Sequence, residues 1–160
     1  MSAVHVRGWS RRVWCVVGCL IASGCGILDA GSDGAEDDLR RAQDRWVRAA
    51  MADYDLVMTR NCFCVPVGPV MVRVRDGERV ETRILVDDAE GPLAPNLVAF
   101  YPTVEGLFDV ISEALEDGVY ELQVTYHPTL GYPTDLWVDR SPSIADEEFG
   151  YEVALVSPEG

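Results

Sequence analysis

The chain has 160 residues, 13 basic and 27 acidic, and a formal net charge of −14, with arginine as the only strongly basic residue. So acidic a chain is repelled by phosphate backbones and anionic headgroups, which argues against nucleic-acid binding and against charge-driven attachment to a membrane surface. The charge fits solubility, a basic partner or metal cations, and does not choose among them.

The first two dozen residues read as an export signal. Arg7, Arg11 and Arg12 give a positive start, Val13 to Ala22 an apolar middle, and Ala22-Ser23-Gly24 the small residues a peptidase needs. The apolar run is about ten residues, whereas a bilayer span needs ~20, so a signal peptide is favoured over a permanent transmembrane helix. Leu20-Ile21-Ala22-Ser23-Gly24-Cys25 resembles a bacterial lipobox. That resemblance implies cleavage before Cys25, acylation of its sulfur, and multi-chain anchoring to the cell membrane or outer membrane. The competing reading is an ordinary secreted protein with Cys25 merely near the cut. Ser10-Arg11-Arg12 hints at a twin-arginine signal, but the residues that follow fit that motif poorly. Loss of Arg7, Arg11 and Arg12 takes the net charge from −14 to −17. Three segments follow: a signal peptide over 1–24, a flexible tether over 25–35, and one domain over 36–160, long enough for a real core.

Glu36 to Met51 has helical periodicity, with Leu39, Ala42, Trp46, Ala49 and Ala50 on one stripe. Glu36–Arg40, Asp37–Arg41 and Asp44–Arg48 are acid-before-base pairs four apart. Tyr54 to Cys64 predicts a strand, with Tyr54, Leu56, Met58, Cys62 and Cys64 on one face. Pro66, Gly68 and Pro69 break it. Val70, Val72 and Val74 alternate with Met71, Arg73 and Arg75 in a second strand. Asp76-Gly77 is a strong hairpin signal, because a type I′ turn needs positive φ. Arg79 to Val86 returns, with Val80, Thr82, Ile84 and Val86 expected inward. Asp87 to Pro102 reads as a proline-punctuated loop.

Thr103 predicts an N-cap, and Val104, Leu107, Phe108, Ile111 and Leu115 form the stripe of a second helix that Gly118 ends. Strands follow at Tyr120–Tyr126, Thr134–Asp139 and around Tyr151, Val153 and Leu155. The element order is αβββ-αβββ. It predicts an α+β domain: an antiparallel sheet of about six strands, with two helices on one face. The repeat is one of element order, without residue-level identity between the halves. That order resembles tandem β-lactamase-inhibitor-like and PepSY-like domains, a likeness of architecture that carries no function.

At closer range the chain resembles the DUF6174 family of bacterial envelope proteins. The match rests on Trp46, on Tyr54 before Asn61-Cys62-Phe63-Cys64, and on Val70-x-Val72-x-Val74 with Asp76-Gly77. Thr103 with Leu107-Phe108 continues it. Val124-x-Tyr126, Gly131-Tyr132-Pro133, Asp139 and Ala145-Asp146-Glu147-Glu148 before Tyr151 complete it. The resemblance implies export, often with lipid anchoring, and no known activity, so it brings no catalytic residues.

Three clusters carry candidate chemistry. Cys62 and Cys64 are the only cysteines past Cys25, and an exported domain meets an oxidising space. On an ideal strand their Cα atoms lie about 7 Å apart, the upper edge of disulfide geometry, so a bond needs a local bend. A redox-active disulfide, half of a metal site and two structural sulfurs all remain open. His127 is the one histidine after the leader, too few partners for a four-ligand centre. Asp139, Asp146, Glu147 and Glu148 are either a cation-binding loop or a solvated acidic hairpin that blunts the sheet end. Tyr126, Tyr132 and Trp137 are a candidate aromatic contact patch, while Gly131 and Pro133 are explained by turn chemistry. No nucleophile motif, His-Glu-x-x-His, P-loop or dinucleotide fingerprint is present. The sequence therefore predicts a lipid-anchored envelope protein, non-enzymatic and without cofactor or metal, that binds an envelope protein. The rival readings are a thiol/disulfide redox protein using Cys62 and Cys64, and a metal-binding lipoprotein.

Overall fold

The computed structural model describes residues 32–64, 68–86, 91–144 and 147–156. The segment expected to be a signal peptide, with Cys25, Pro66 and Asp146, lies outside them. Two helices pack on a seven-stranded, wholly antiparallel sheet. The elements are α1 (Ser32–Ala49), β1 (Tyr54–Cys62), β2 (Val70–Arg75), β3 (Glu78–Ile84), β4 (Gly91–Pro92), α2 (Val104–Asp117), β5 (Glu121–Tyr126), β6 (Pro133–Asp139) and β7 (Phe149–Val156). A short 3-10 turn, Val98–Phe100, precedes α2.

Helix α1 begins inside the segment expected to be tether. Its first turn holds Asp33, which suits the positive end of the helix dipole. Leu39, Ala42 and Trp46 are buried, one per turn. Ala50, expected on that stripe, instead ends the helix at φ 49° and is exposed. The surface ion pairs run mainly at spacing three: Arg40 meets Asp37 at 2.7 Å, and Arg41 meets Asp38. Such exposed pairs contribute only a few tenths of a kcal/mol.

In α2 the Thr103 hydroxyl accepts from the Gly106 amide at 3.3 Å. At the other end Gly118 (φ 61°) donates to Leu115, and Val119 donates to Ala114. This pair of bonds closes the helix in a left-handed cap that only glycine adopts without cost. Val104, Leu107, Phe108, Ile111 and Ala114 are buried. Both helices reach the sheet at Tyr54. Its ring meets Trp46 edge-on at 5.2 Å, and its hydroxyl accepts from the Val104 amide. The helices thus share one sheet face, and one core joins their apolar stripes to Leu56, Met58, Val70, Val72, Val74, Leu136, Val138 and Val153.

Strands run β4-β3-β2-β1-β7-β6-β5 across the sheet. The element order repeats, yet the halves are not copies in space. A two-fold axis through the sheet would set a strand against its own counterpart, β1 against β5 or β3 against β7. A translated repeat would make the central pair parallel. The observed central pair is β1 with β7, antiparallel, in register from Asp55–Val156 to Cys62–Phe149.

The β2–β3 turn has Asp76 at φ 51° and Gly77 at φ 75°, both positive as a type I′ turn requires. Val80 departs from expectation. A bulge at Arg73/Val74 pairs Arg79 with Val74 and Glu81 with Arg73, and Val80 is left 57% exposed as the extra residue. On the helix-free face Asp55, almost wholly buried, takes Arg75 at 2.7 Å and Arg73 at 3.2 Å, and Arg73 reaches on to Glu81 at 2.9 Å. This network knits β1, β2 and β3 across the face that no helix covers.

Candidate functional site

Along β1 the inward positions alternate Tyr54, Leu56, Met58, Arg60 and Cys62, so the apolar run is broken by a guanidinium just before the sulfurs. Arg60 pairs with Tyr151 and Cys62 with Phe149 on β7. Tyr151 donates its hydroxyl to the Phe100 carbonyl at 2.9 Å, which draws the 3-10 turn over this end of the sheet. The Arg60 guanidinium then lies 4.9 Å from the Phe100 ring centre and 5.7 Å from that of Phe149. Both rings face a cation, an arrangement stabilising by ~0.5–2 kcal/mol according to desolvation.

Beyond Arg60 the strand bends. The Cys64 amide donates to the Cys62 carbonyl at 2.8 Å, a three-residue turn centred on Phe63. It brings the two Cα atoms to 5.3 Å, within bonding range, and Cys62 and Cys64 are joined as a disulfide. Arg60 Nη1 donates to Cys62 Sγ at 2.9 Å and lies 3.4 Å from Cys64 Sγ. Among the described residues no carboxylate pairs with Arg60, although the chain carries 27 acids. Its charge is felt nearby: burial raises the pKa of Tyr101 and of Tyr151, and Arg60 pulls both back. At the apex Phe63 is 80% exposed, with Phe100 45% exposed beside the guanidinium. The corner is thus an aromatic projection closed at its base by a disulfide and underlain by an arginine.

A second polar cluster ties the helices to the sheet. The Glu105 carboxylate accepts from Trp46 Nε1 at 2.8 Å and from the Tyr54 hydroxyl at 2.7 Å. Burial and the adjacent Glu105 charge hold the Tyr54 phenol well above its ordinary range. Burial pushes the Glu105 carboxyl up, yet the hydrogen bonds from Tyr54 and Trp46 outweigh it and leave the group below its usual value. Every donor in this cluster is satisfied, which marks it as a clasp.

A pocket of ≈ 170 Å³ opens between α1, α2 and β5, lined by Asp38, Ile111, Leu115, Leu122, Val124 and Tyr126. Burial, then the charge of Asp38, pushes the Tyr126 phenol up to about 12. Its walls are apolar apart from those two groups.

The three aromatics expected to form one patch are not brought together. Tyr126 faces this pocket, and Tyr132 is buried, edge-on to Trp46 and stacked on His127 at 5.0 Å. Trp137 lies on the helix-free face over Gly150, half-buried. Tyr126 keeps the Leu122 and Val124 face of β5, Tyr132 lies in the turn before β6, and the alternation of β6 turns Trp137 away from Leu136 and Val138. His127 serves its own turn, its Nδ1 accepting from the Leu130 amide at 3.0 Å. Asp139 caps the next turn by accepting from the Ser141 amide at 2.9 Å. Glu147 is exposed and Glu148 half-buried. Among the described residues no group of three or more His, Cys, Asp or Glu is placed to hold a metal. Arg60, Phe100 and Glu105 were not singled out as site residues from sequence. Arg60 had a signal, since it falls at the period-two position between Met58 and Cys62.

Fold and corner together define an α+β sheet domain that presents a disulfide-closed aromatic projection. Residues 38–158 match the family of unknown function DUF6174, and the chain belongs to that family. Comparison with curated proteins and with solved structures finds no match. Among the described residues no helix is long and apolar enough to cross a membrane.

Proposed function

We propose that this chain is an exported bacterial lipoprotein, held to a membrane through acylated Cys25, whose domain is a binding module for an envelope protein and carries no catalysis of its own. The observation that carries the binding half is Phe63. A large aromatic side chain, 80% exposed, stands between two linked cysteines whose sulfurs Arg60 contacts, and that arginine also faces the exposed Phe100 ring. Aromatic residues and arginine dominate binding energy at protein interfaces, and a closed turn loses little entropy on docking. The anchoring half rests on the lipobox-like run that ends at Cys25. High negative charge leaves lipid as the route to a membrane surface and favours a partner that is basic or neutral around an apolar pocket.

Photocrosslinking in intact cells tests the docking. A benzophenone side chain at position 63 should yield one discrete adduct of protein size. The same probe at position 47 on α1, where Val47 is 75% exposed, should yield none. No adduct from position 63, or the same ladder from both positions, would reject the module.

A further inference from the structure

We infer that the Cys62–Cys64 bond is an exchangeable disulfide, attacked at Cys64, with Arg60 stabilising the Cys62 thiolate that leaves. Docking through Phe63 is not needed for this, and the two fail separately. Thiol–disulfide exchange has a direction: one sulfur is attacked and the other departs with the electron pair. Cys64 is exposed and open to an incoming thiolate, whereas Cys62 is half-buried at the end of β1. The departing sulfur is the one that the guanidinium touches more closely, 2.9 Å against 3.4 Å. Phe100 and Phe149 fix that guanidinium in place, and among the described residues no carboxylate competes for it. Its charge also attracts the anionic attacking thiolate, in a chain otherwise strongly negative.

The chemistry balances with an external thiol as reductant. Its thiolate bonds to Cys64 Sγ, the Cys62–Cys64 bond breaks, and the electron pair stays on Cys62 Sγ beside Arg60. A second thiolate attacks the external sulfur of the mixed disulfide and expels Cys64 as thiolate. Two external thiols are oxidised to one disulfide, the protein pair is reduced to two thiols, and the thiol protons pass to the protein sulfurs through solvent.

The test uses the purified protein and reduced glutathione. After brief exposure, free sulfurs are trapped with N-ethylmaleimide and the peptide holding both cysteines is fragmented in the mass spectrometer. Glutathione should sit on Cys64 and the maleimide on Cys62, with the reverse product about tenfold rarer. Arg60→Gln should slow the first step about tenfold, the loss expected when a charged donor is taken from a developing thiolate. Arg60→Lys should restore much of the rate. Glutathione on Cys62, or equal labelling of the two, would overturn the assignment. So would an Arg60→Gln rate within twofold of the native protein with an unchanged circular dichroism spectrum. If Arg60→Gln fails to fold, the labelling pattern of the native protein decides alone.

Discussion

Gly131→Ala should destabilise the domain by about 2–5 kcal/mol. Two costs combine there. Gly131 has φ 85°, a conformation that costs an L-residue ~1–2 kcal/mol. A Cβ at that site would also strike the Ala42 carbonyl oxygen of α1 and stand 2.8 Å from Arg45 Cβ. Backbone cannot swing aside as a flexible side chain can, so overpacking adds ~1–3 kcal/mol. The shift would carry Tyr132 off Trp46 and loosen α1 from the β5–β6 turn. Gly118→Ala isolates the first cost, because Gly118 also has positive φ (61°) but open space at its Cβ position. Urea unfolding should place Gly118→Ala about 1–2 kcal/mol below the native protein and Gly131→Ala well below that. Equal midpoints would mean that the close approach of the turn to α1 is wrong.

Glu105→Ala should cost about 2–4 kcal/mol, since it strands two donors that now share one carboxylate. Trp46 and Tyr54 are both almost fully buried, so their N–H and O–H groups have little access to replacement water. Glu105→Gln keeps one acceptor oxygen and should cost about half as much. Charge matters as well. With Glu105 held below its ordinary value near 4.5, its contribution is complete above the unfolded carboxylate's titration range. That contribution disappears as pH falls below that range and through the native value. Denaturant midpoints of the native protein should therefore drop across that acid window, and those of Glu105→Gln should drop less. Parallel curves for the two would show that Glu105 does not clasp Trp46 and Tyr54.

Much of the frame was legible because local physics decided it. The helix stripes through Leu39, Ala42 and Trp46 and through Val104, Leu107 and Ile111 follow from 3.6-residue periodicity, and the Asp76-Gly77 turn follows from its φ requirement. Thr103 and Gly118 marked the ends of α2 for the same reason. Pairings between distant segments were not legible. Periodicity says which face of β7 is buried and cannot say that β7 lies beside β1 instead of repeating the first half. Two residues at Gly91–Pro92, too short for any period, escaped notice, and the Arg73/Val74 bulge turned Val80 outward without a local cue. The site suffered most. Glu105 sits in the first turn of α2, an ordinary place for an acid, and its partners Trp46 and Tyr54 stand 59 and 51 residues away. Arg60 interrupts the apolar stripe of β1, and periodicity does not show what a charge there will meet. The Phe100 ring that faces its guanidinium arrives from a segment read as loop.

Everything proposed about this protein's work depends on where it works. A disulfide persists in an oxidising compartment, and the proposed envelope partner would be within reach of the aromatic projection only after export. Both follow from export with retention at Cys25. The most direct test is fractionation of cells expressing the native chain or Cys25→Ser, with mass spectrometry of the mature N-terminus. The native protein should sediment with membranes and begin at a cysteine carrying diacylglycerol and an acyl chain, while Cys25→Ser should appear in the soluble or unprocessed fraction. Native protein with an unmodified N-terminus, or Cys25→Ser that still sediments as a processed membrane protein, would contradict the account.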